Sequence, residues 1–316
     1  MAYEIQTISL VGMGAMGSFF APRLSNKFGG HFYLTAGGSR KERLESRGVT
    51  INGTVYHFPV VAPGTEGAAP DLIIIATKGY SLDQAIEDIR SQVHEHTLIL
   101  SVMNGVDSEQ KLIAAFGEEH VLYSFMRVSI VMKDGVTNYD PAVGEVHFGE
   151  KLNTEGAYSD RVLAVKKVMD TCRIPYVIDQ DMLHGIWYKF TCNVAENLTC
   201  AMLGIPFGMY RSNDDANALR DAAMKEVQRI AAVCGAAVTD ADLEKQDRII
   251  KTLPPANKPS TLQDLEAGRR TEIDMFAGTV IRLGKEHGIP TPMCEMYYHA
   301  IRVLEYKNEH RGEFGL

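Results

Sequence analysis

The chain has 316 residues, 45% of them apolar and 23% charged, with a formal charge of −8. That length allows two hydrophobic cores, and the composition is that of a globular protein. The negative balance excludes nucleic acid or an anionic membrane as the main partner, so any basic patch serves something local, such as a phosphate.

No apolar run reaches the ~18 residues that a membrane span requires. The N-terminus has neither a basic n-region nor a cleavage site, and the expected compartment is the cytoplasm. Cys172, Cys192, Cys200, Cys234 and Cys294 are widely spaced without a CxxC pair, and no two histidines stand at HExxH or HxxxH spacing. Neither a disulfide framework nor a metal site is indicated.

In chain order, residues 5–11 read as a first strand and run straight into Gly12-Met13-Gly14-Ala15-Met16-Gly17. A glycine turn between strand and helix is the pattern of a dinucleotide site. One glycine makes the tight turn, one lets the backbone approach a pyrophosphate, and one packs helix against strand. Residues 18–27 continue as a helix, with Pro22 read near its first turns. The second strand, 32–35, is followed by Ala36-Gly37-Gly38-Ser39-Arg40-Lys41, and no Asp or Glu stands between Glu4 and Glu42. An acid about 20 residues on is what a free ribose 2′-hydroxyl requires. Arg40 and Lys41 instead suit a 2′-phosphate, and the cofactor read from the residues is NADP(H). The alternative is that Arg40, Lys41 and Arg43 form a solvated helix start.

Strands are further expected at 71–77, 97–101, 121–132 and 144–149, with 175–178 closing the sheet and a helix at 82–90. Residues 48–61 alternate around Asn52-Gly53, a hairpin signal. This alternation predicts an α/β fold, a Rossmann-type doubly wound sheet over residues 1–180. From 181 to 316 long helical patterns dominate, at 182–203, 215–234, 240–251, 272–286 and 295–306, and predict an all-helical C-terminal domain. A proline-rich linker at 253–259 interrupts them.

Within the first of these helices Lys189, Asn193 and Asn197 fall at i, i+4 and i+8, beside an apolar row of Ile186, Phe190, Val194 and Leu198. Asn is poor in helix interiors, so two of them aligned with a lysine on a helix apolar almost all round point to a function other than a solvent stripe. A partly buried lysine gives up a proton near neutrality and can protonate a carbonyl oxygen as hydride arrives at carbon. After the linker, Ser260 with Gln263 and Thr271 with Asp274 both fit a capping box. For Ser260 and Glu272 a helix-terminal role and a role in the site therefore stand side by side.

Together, the glycine loop, Ala76-Thr77-Lys78, Asn104-Gly105, the Lys189-x3-Asn193-x3-Asn197 row and the blocks Ser260-x2-Gln263-Asp264 and Thr271-Glu272-Ile273-Asp274 resemble ketopantoate reductase (2-dehydropantoate 2-reductase). The resemblance runs from the first strand to about residue 292. It implies NADPH-dependent reduction of 2-dehydropantoate to (R)-pantoate in pantothenate biosynthesis. Lys189 would be the general acid and Glu272 its partner, with Asn193, Asn197 and Ser260 as substrate contacts. Lys78 and Asn104 would lie beside the nicotinamide and the reacting carbonyl; on residues alone they read as a strand-end charge and a plain turn. The apolar helical half and the family together point to a homodimer. One departure stands out: Phe207 replaces a polar contact of the family. Two further readings remain, a sibling NADPH-dependent reductase of another small 2-oxo acid and a non-catalytic NADP-binding sensor.

Overall fold

In the computed structural model, which describes residues 3–133 and 135–315, the chain divides into two compact units, Met1–Met182 and Leu183–Leu316. The first is built on β1 (Ile8–Val11), β2 (Phe32–Thr35), β3 (Val49–Ile51), β4 (Thr54–Tyr56), β5 (Val60–Val61), β6 (Leu72–Ile75), β7 (Leu98–Ser101), β8 (Val121–Arg127), β9 (Val131–Lys133), β10 (Val136–Asn138), β11 (Glu145–Gly149) and β12 (Tyr176–Val177). They are connected by α1 (Ala15–Phe28), α2 (Gly38–Arg47), α3 (Leu82–Ile89), α4 (Ser108–Phe116) and α5 (Asp160–Cys172).

Eight strands form one sheet in the order β12-β11-β8-β7-β6-β1-β2-β5. Neighbours run parallel except β8 and β11. Every residue of β1, β2, β6 and β7 is buried, as a sheet covered on both faces requires. Alternate residues feed two cores. Leu10, Leu72 and Ile74 pack with Phe19, Phe20 and Leu24 of α1, whereas Val11, Ile73 and Ile75 pack with Leu82, Ile86 and Ile89 of α3. This is the predicted Rossmann-type α/β architecture.

Several local expectations are corrected. β1 starts three residues later than the apolar pattern suggests, because the N–H groups of Gln6 and Thr7 are taken by one carboxylate oxygen of Asp71, each at 2.8 Å. The strand read over 71–77 shortens to Leu72–Ile75. Residues 121–132 do not form one strand: Arg127 is the last of β8 to find an antiparallel partner, Glu145, and β9 joins a second sheet, β4-β3-β10-β9. Asn52 and Gly53, with φ of 48° and 79°, close the β3–β4 hairpin as a type I′ turn. Val60 and Val61, read as part of that hairpin, pair instead with β2 in the main sheet. Pro22 sits in the middle of α1. Its missing N–H leaves the Ser18 carbonyl without a helical donor, and the Tyr139 hydroxyl donates to it at 3.2 Å.

The second unit is helical. The helix read over 182–203 is interrupted: α6 (Met182–Cys192) passes into a π-helical segment, Asn193–Asn197, and resumes as α7 (Leu198–Leu203). There follow α8 (Asp214–Val233), α9 (Asp240–Ile250), α10 (Ser260–Glu266), a second π segment at Asp274–Gly278, α11 (Thr279–His287) and α12 (Pro292–Glu309). Glu226 of α8 accepts the N–H groups of Met293 and Cys294 at 2.7 and 2.9 Å. These are orphan donors of the first turn of α12, where the helix dipole favours an anion. Among the described residues no helix is long and apolar enough to cross a membrane.

Candidate active site

The glycine turn follows β1, the Ala76-Thr77-Lys78 segment follows β6, and Asn104-Gly105 follows β7. All three lie at carboxyl ends of adjacent strands. The chain steps from β1 to β2 on one side and returns to β6 on the other, which is the switch point where open α/β sheets bind ligands. Gly12 has φ +97°, and a Cβ there would stand 2.6 Å from the Ala76 carbonyl oxygen; at Gly17 it would stand 2.1 Å from that of Gly12. Both positions exclude a side chain. At Gly14 a Cβ would meet nothing within 4 Å. Open space therefore lies beside the first turn of α1, Ala15 and Met16, which carries no acidic residue. The turn fits a pyrophosphate, whose charge suits exposed backbone N–H groups at a helix N-terminus.

Arg40, the third residue of α2, is exposed. Lys41 is tied back, its Nζ donating to Glu45 at 2.6 Å and to the Val60 carbonyl at 3.0 Å. Of the two cations read for a 2′-phosphate, Arg40 is the better placed. Lys78 is exposed, and its carbonyl accepts the Ser81 N–H at 2.9 Å. Asn104 is half-buried, ahead of Gly105 at φ +105°. Behind this turn Glu109 is buried in the first turn of α4 and accepts the Ser108 hydroxyl at 2.9 Å. Burial pushes its carboxyl up to about 7, against the pull of hydrogen bonds from Ser108 and the Ser124 backbone.

In the second unit, Lys189, Asn193 and Asn197 are half-buried while Ile186, Phe190, Val194 and Leu198 beside them are buried. Sequence spacing alone does not align the three. An α-helix advances about 100° per residue, so two four-residue steps would fan the row by about 80°. The π segment corrects this. With i→i+5 bonding and about 4.4 residues per turn, its four-residue step falls about 30° short of a full turn and brings Asn197 back to the side of Lys189. The Asn197 amide donates to the Asn193 side-chain oxygen at 3.3 Å.

Neither predicted capping box forms. Pro259 is the N-cap of α10, Ser260 is its exposed first residue, and the Gln263 amide donates to the Lys258 carbonyl at 2.8 Å. The helix begins one residue earlier than a Ser260 cap requires: Pro259, at φ −67° and ψ 159°, takes the cap position and has no side-chain acceptor to offer. Thr271 turns away from Asp274. Its N–H and its hydroxyl both donate to one oxygen of Glu305, each at 2.7 Å, and this buried anchor from α12 holds the next residue, Glu272, which is itself 7% exposed. Both α10 and the second π segment pack against Asn193–Asn197. The structure thus brings α10, which begins with Ser260, and the π segment that starts two residues after Glu272 against the stretch carrying Asn193 and Asn197.

Phe207 is partly buried against Cys200, Tyr210, Ala216 and Ile250. Its N–H donates to Asn257 O at 2.9 Å and that of Gly208 to Pro255 O at 3.0 Å, tying this segment to the proline-rich loop before Ser260.

Sequence reading missed a buried polar set behind the row. Gln246 of α9 donates to both carboxylate oxygens of Glu196, at 2.9 and 3.0 Å, and accepts the Tyr188 hydroxyl at 2.9 Å. The Tyr210 hydroxyl donates to the Glu196 carbonyl at 2.9 Å, and burial raises the pKa of Tyr210, which keeps that donor protonated. The available signal was Glu196 itself, an acid in an otherwise apolar helix with cysteines four residues away on either side.

A glycine turn at the switch point of a doubly wound sheet, followed by a helical unit with one polar row, defines a two-unit Rossmann-type protein. The family model for ketopantoate reductase PanE/ApbA matches residues 8–153, and that for its C-terminal part matches 181–305. The chain belongs to the ketopantoate reductase family, and it is an oxidoreductase. It is 26% identical over 300 residues to the uncharacterized oxidoreductase YkpB of Bacillus subtilis (strain 168), covering 94% of this chain and 98% of that one. It is 27% identical over 307 residues to the 2-dehydropantoate 2-reductase of Pyrococcus horikoshii, covering 94% and 97%. D-mandelate dehydrogenase, solved with NADH and anilino(oxo)acetate, shares the fold at a TM-score of 0.83 and 22% identity, over 96% of this chain and 99% of that one.

Proposed function

We propose that this chain reduces 2-dehydropantoate to (R)-pantoate with NADPH, the first unit holding the cofactor and the second supplying the acid and the substrate contacts. The observation that carries the reading is the half-buried Lys189–Asn193–Asn197 row beside the buried row Ile186, Phe190, Val194 and Leu198. In the first unit Gly12, Met13, Gly14, Ala15, Met16 and Gly17 would hold the pyrophosphate and Arg40 the 2′-phosphate, with Lys78 and Asn104 nearer the reacting end. The bound cofactor supplies hydride to the carbonyl carbon of the acid. Negative charge then builds on the carbonyl oxygen, where the Lys189 ammonium stabilises it and delivers a proton. In this reading the buried Glu272 is the partner that positions that lysine. Asn193, Asn197 and Ser260 pair with the substrate carboxylate and hydroxyl. We further propose a cytoplasmic homodimer; its support is a largely apolar groove of about 470 Å³ lined by Met202, Met296, His299, Ala300, Val303 and Leu304, and sedimentation of the purified chain tests it.

A second reading, a sibling reductase of a 2-oxo acid with an apolar side chain, is favoured by Phe207 and by the D-mandelate dehydrogenase fold neighbour. NADPH oxidation with 2-dehydropantoate, pyruvate and 2-oxoisovalerate separates the possibilities. Buried amides built to pair a hydroxyl reject an analogue that lacks it. The expected result is a preference for 2-dehydropantoate that shrinks in Asn197→Ala. Equal or faster reduction of 2-oxoisovalerate transfers the assignment to the sibling reductase, and no oxidation with any acid leaves the cofactor-binding sensor.

A further inference from the structure

The π segment that aligns the Lys189 row is an uncommon backbone state, and something must hold it against relaxing to α geometry. The buried polar set behind the row is placed to do so. Glu196 lies inside the segment and is 4% exposed; Gln246 is 7% and Tyr188 6% exposed. A carboxylate at that depth is costly unless hydrogen-bonded, and both its oxygens accept from the Gln246 amide. The same amide's oxygen accepts from Tyr188, the residue immediately before Lys189. One glutamine side chain on α9 therefore ties the residue before Lys189 to the residue before Asn197. A second tie fixes the same stretch: His184, one turn before Tyr188, meets Asp242, one turn before Gln246, at 3.0 Å. The Tyr210 hydroxyl on the Glu196 carbonyl adds a partner on the backbone itself.

We propose that Gln246 and Glu196 are positioning residues that lock the π register of Asn193–Asn197, so that Asn197 faces the same side as Lys189. They touch no reacting atom. Without the lock, Glu196 turns toward water, the segment relaxes to α geometry, and Asn197 swings about 70° away from the Lys189 side. The effect on catalysis rests on the functional reading above; the effect on the backbone does not.

The test uses the full chain with Gln246→Leu and Glu196→Gln. In Gln246→Leu, NADPH binding stays unchanged, because the cofactor residues belong to the other unit. Its kcat/KM for 2-dehydropantoate falls about tenfold to hundredfold, as for a small misplacement of a substrate contact. Its preference over 2-oxoisovalerate shrinks, a readout that mere loss of stability would not move. Glu196→Gln keeps an oxygen for the Gln246 amide and holds the preference to within about twofold. A crystal structure of Gln246→Leu shows residues 193–197 in α register with the Asn193–Asn197 bond broken. Retention of both the substrate preference and the π register overturns the inference. If the unmodified protein reduces neither acid, the functional reading fails, and the backbone register of the variant alone decides: a retained π segment overturns the lock. Should Gln246→Leu not fold, the triple variant Tyr188→Phe, Glu196→Leu, Gln246→Leu removes the three hydrogen-bonding side chains together and is judged by the same readouts.

Discussion

Two glycines of one turn answer differently to the same added methyl group. At Gly14, φ is −90° and a Cβ meets nothing within 4 Å, so alanine is sterically free there. Replacing glycine at a permitted φ stabilises by roughly 0.4–1 kcal/mol through the unfolded chain, which a weaker N-cap offsets by a few tenths to 1 kcal/mol. The net change is within about 1 kcal/mol, or a Tm shift of at most about 4 °C for a unit of this size. The added methyl nevertheless fills the space in which the pyrophosphate would lie. NADPH affinity should fall about tenfold to hundredfold, corresponding to about 1.4–2.8 kcal/mol. At Gly17 the Cβ would stand 2.1 Å from the Gly12 carbonyl oxygen, where contacts under 3.0 Å are not found. The backbone of α1 must move away from β1, and overpacking of this kind costs about 1–3 kcal/mol, lowering Tm by roughly 2–12 °C. Thermal melts without cofactor and fluorescence titration with NADPH measure both effects. Unaltered NADPH affinity in Gly14→Ala refutes the assignment of the pyrophosphate to this turn, and an unaltered Tm in Gly17→Ala refutes the packing argument.

Arg40→Ala should weaken NADPH while leaving NADH affinity unchanged; equal catalytic efficiency of the unmodified protein with both cofactors would sink the 2′-phosphate assignment. Lys189→Ala should lose about 10²–10⁴ in turnover with NADPH binding intact, the loss expected for a missing general acid, and Glu272→Ala should reduce turnover as well; wild-type rates in Lys189→Ala would return the row to a solvent-facing stripe. Glu109 provides a pH prediction. Its folded pKa of about 7 lies above its unfolded value of 4.5. The native state therefore holds the extra proton between the two, and stability from this group falls as pH rises from about 4.5 to 7, by at most about 3 kcal/mol. In urea titrations, Glu109→Gln should be more stable relative to the unmodified protein at pH 8 than at pH 4, and a difference independent of pH contradicts the shift.

The alternation of short apolar runs with amphipathic segments was enough to read the sheet, because a strand buried on both faces leaves no polar position to disguise it; β6, Leu-Ile-Ile-Ile, is the clearest case. The glycine turn was equally legible, since only glycine tolerates the approach of Gly12 to Ala76 and of Gly17 to Gly12. Lys189, Asn193 and Asn197 could be named from spacing, but the spacing assumed an α-helix that would have splayed them. Their alignment depends on a π segment, and that segment's buried partners, Tyr210 and Gln246, lie 14 and 50 residues beyond Glu196 on other helical elements. Ser260 and Thr271 mark the same limit. A capping box is a local pattern, and it yielded to a helix that starts at Ser260 with Pro259 as its cap on one side and to the carboxylate of Glu305, 34 residues away, on the other. Periodicity and glycine sterics are properties of neighbouring residues and can be read along the chain. Which polar partner a side chain finds in the interior is settled only when distant helices pack, because an unpaired buried group costs more than a local bond returns.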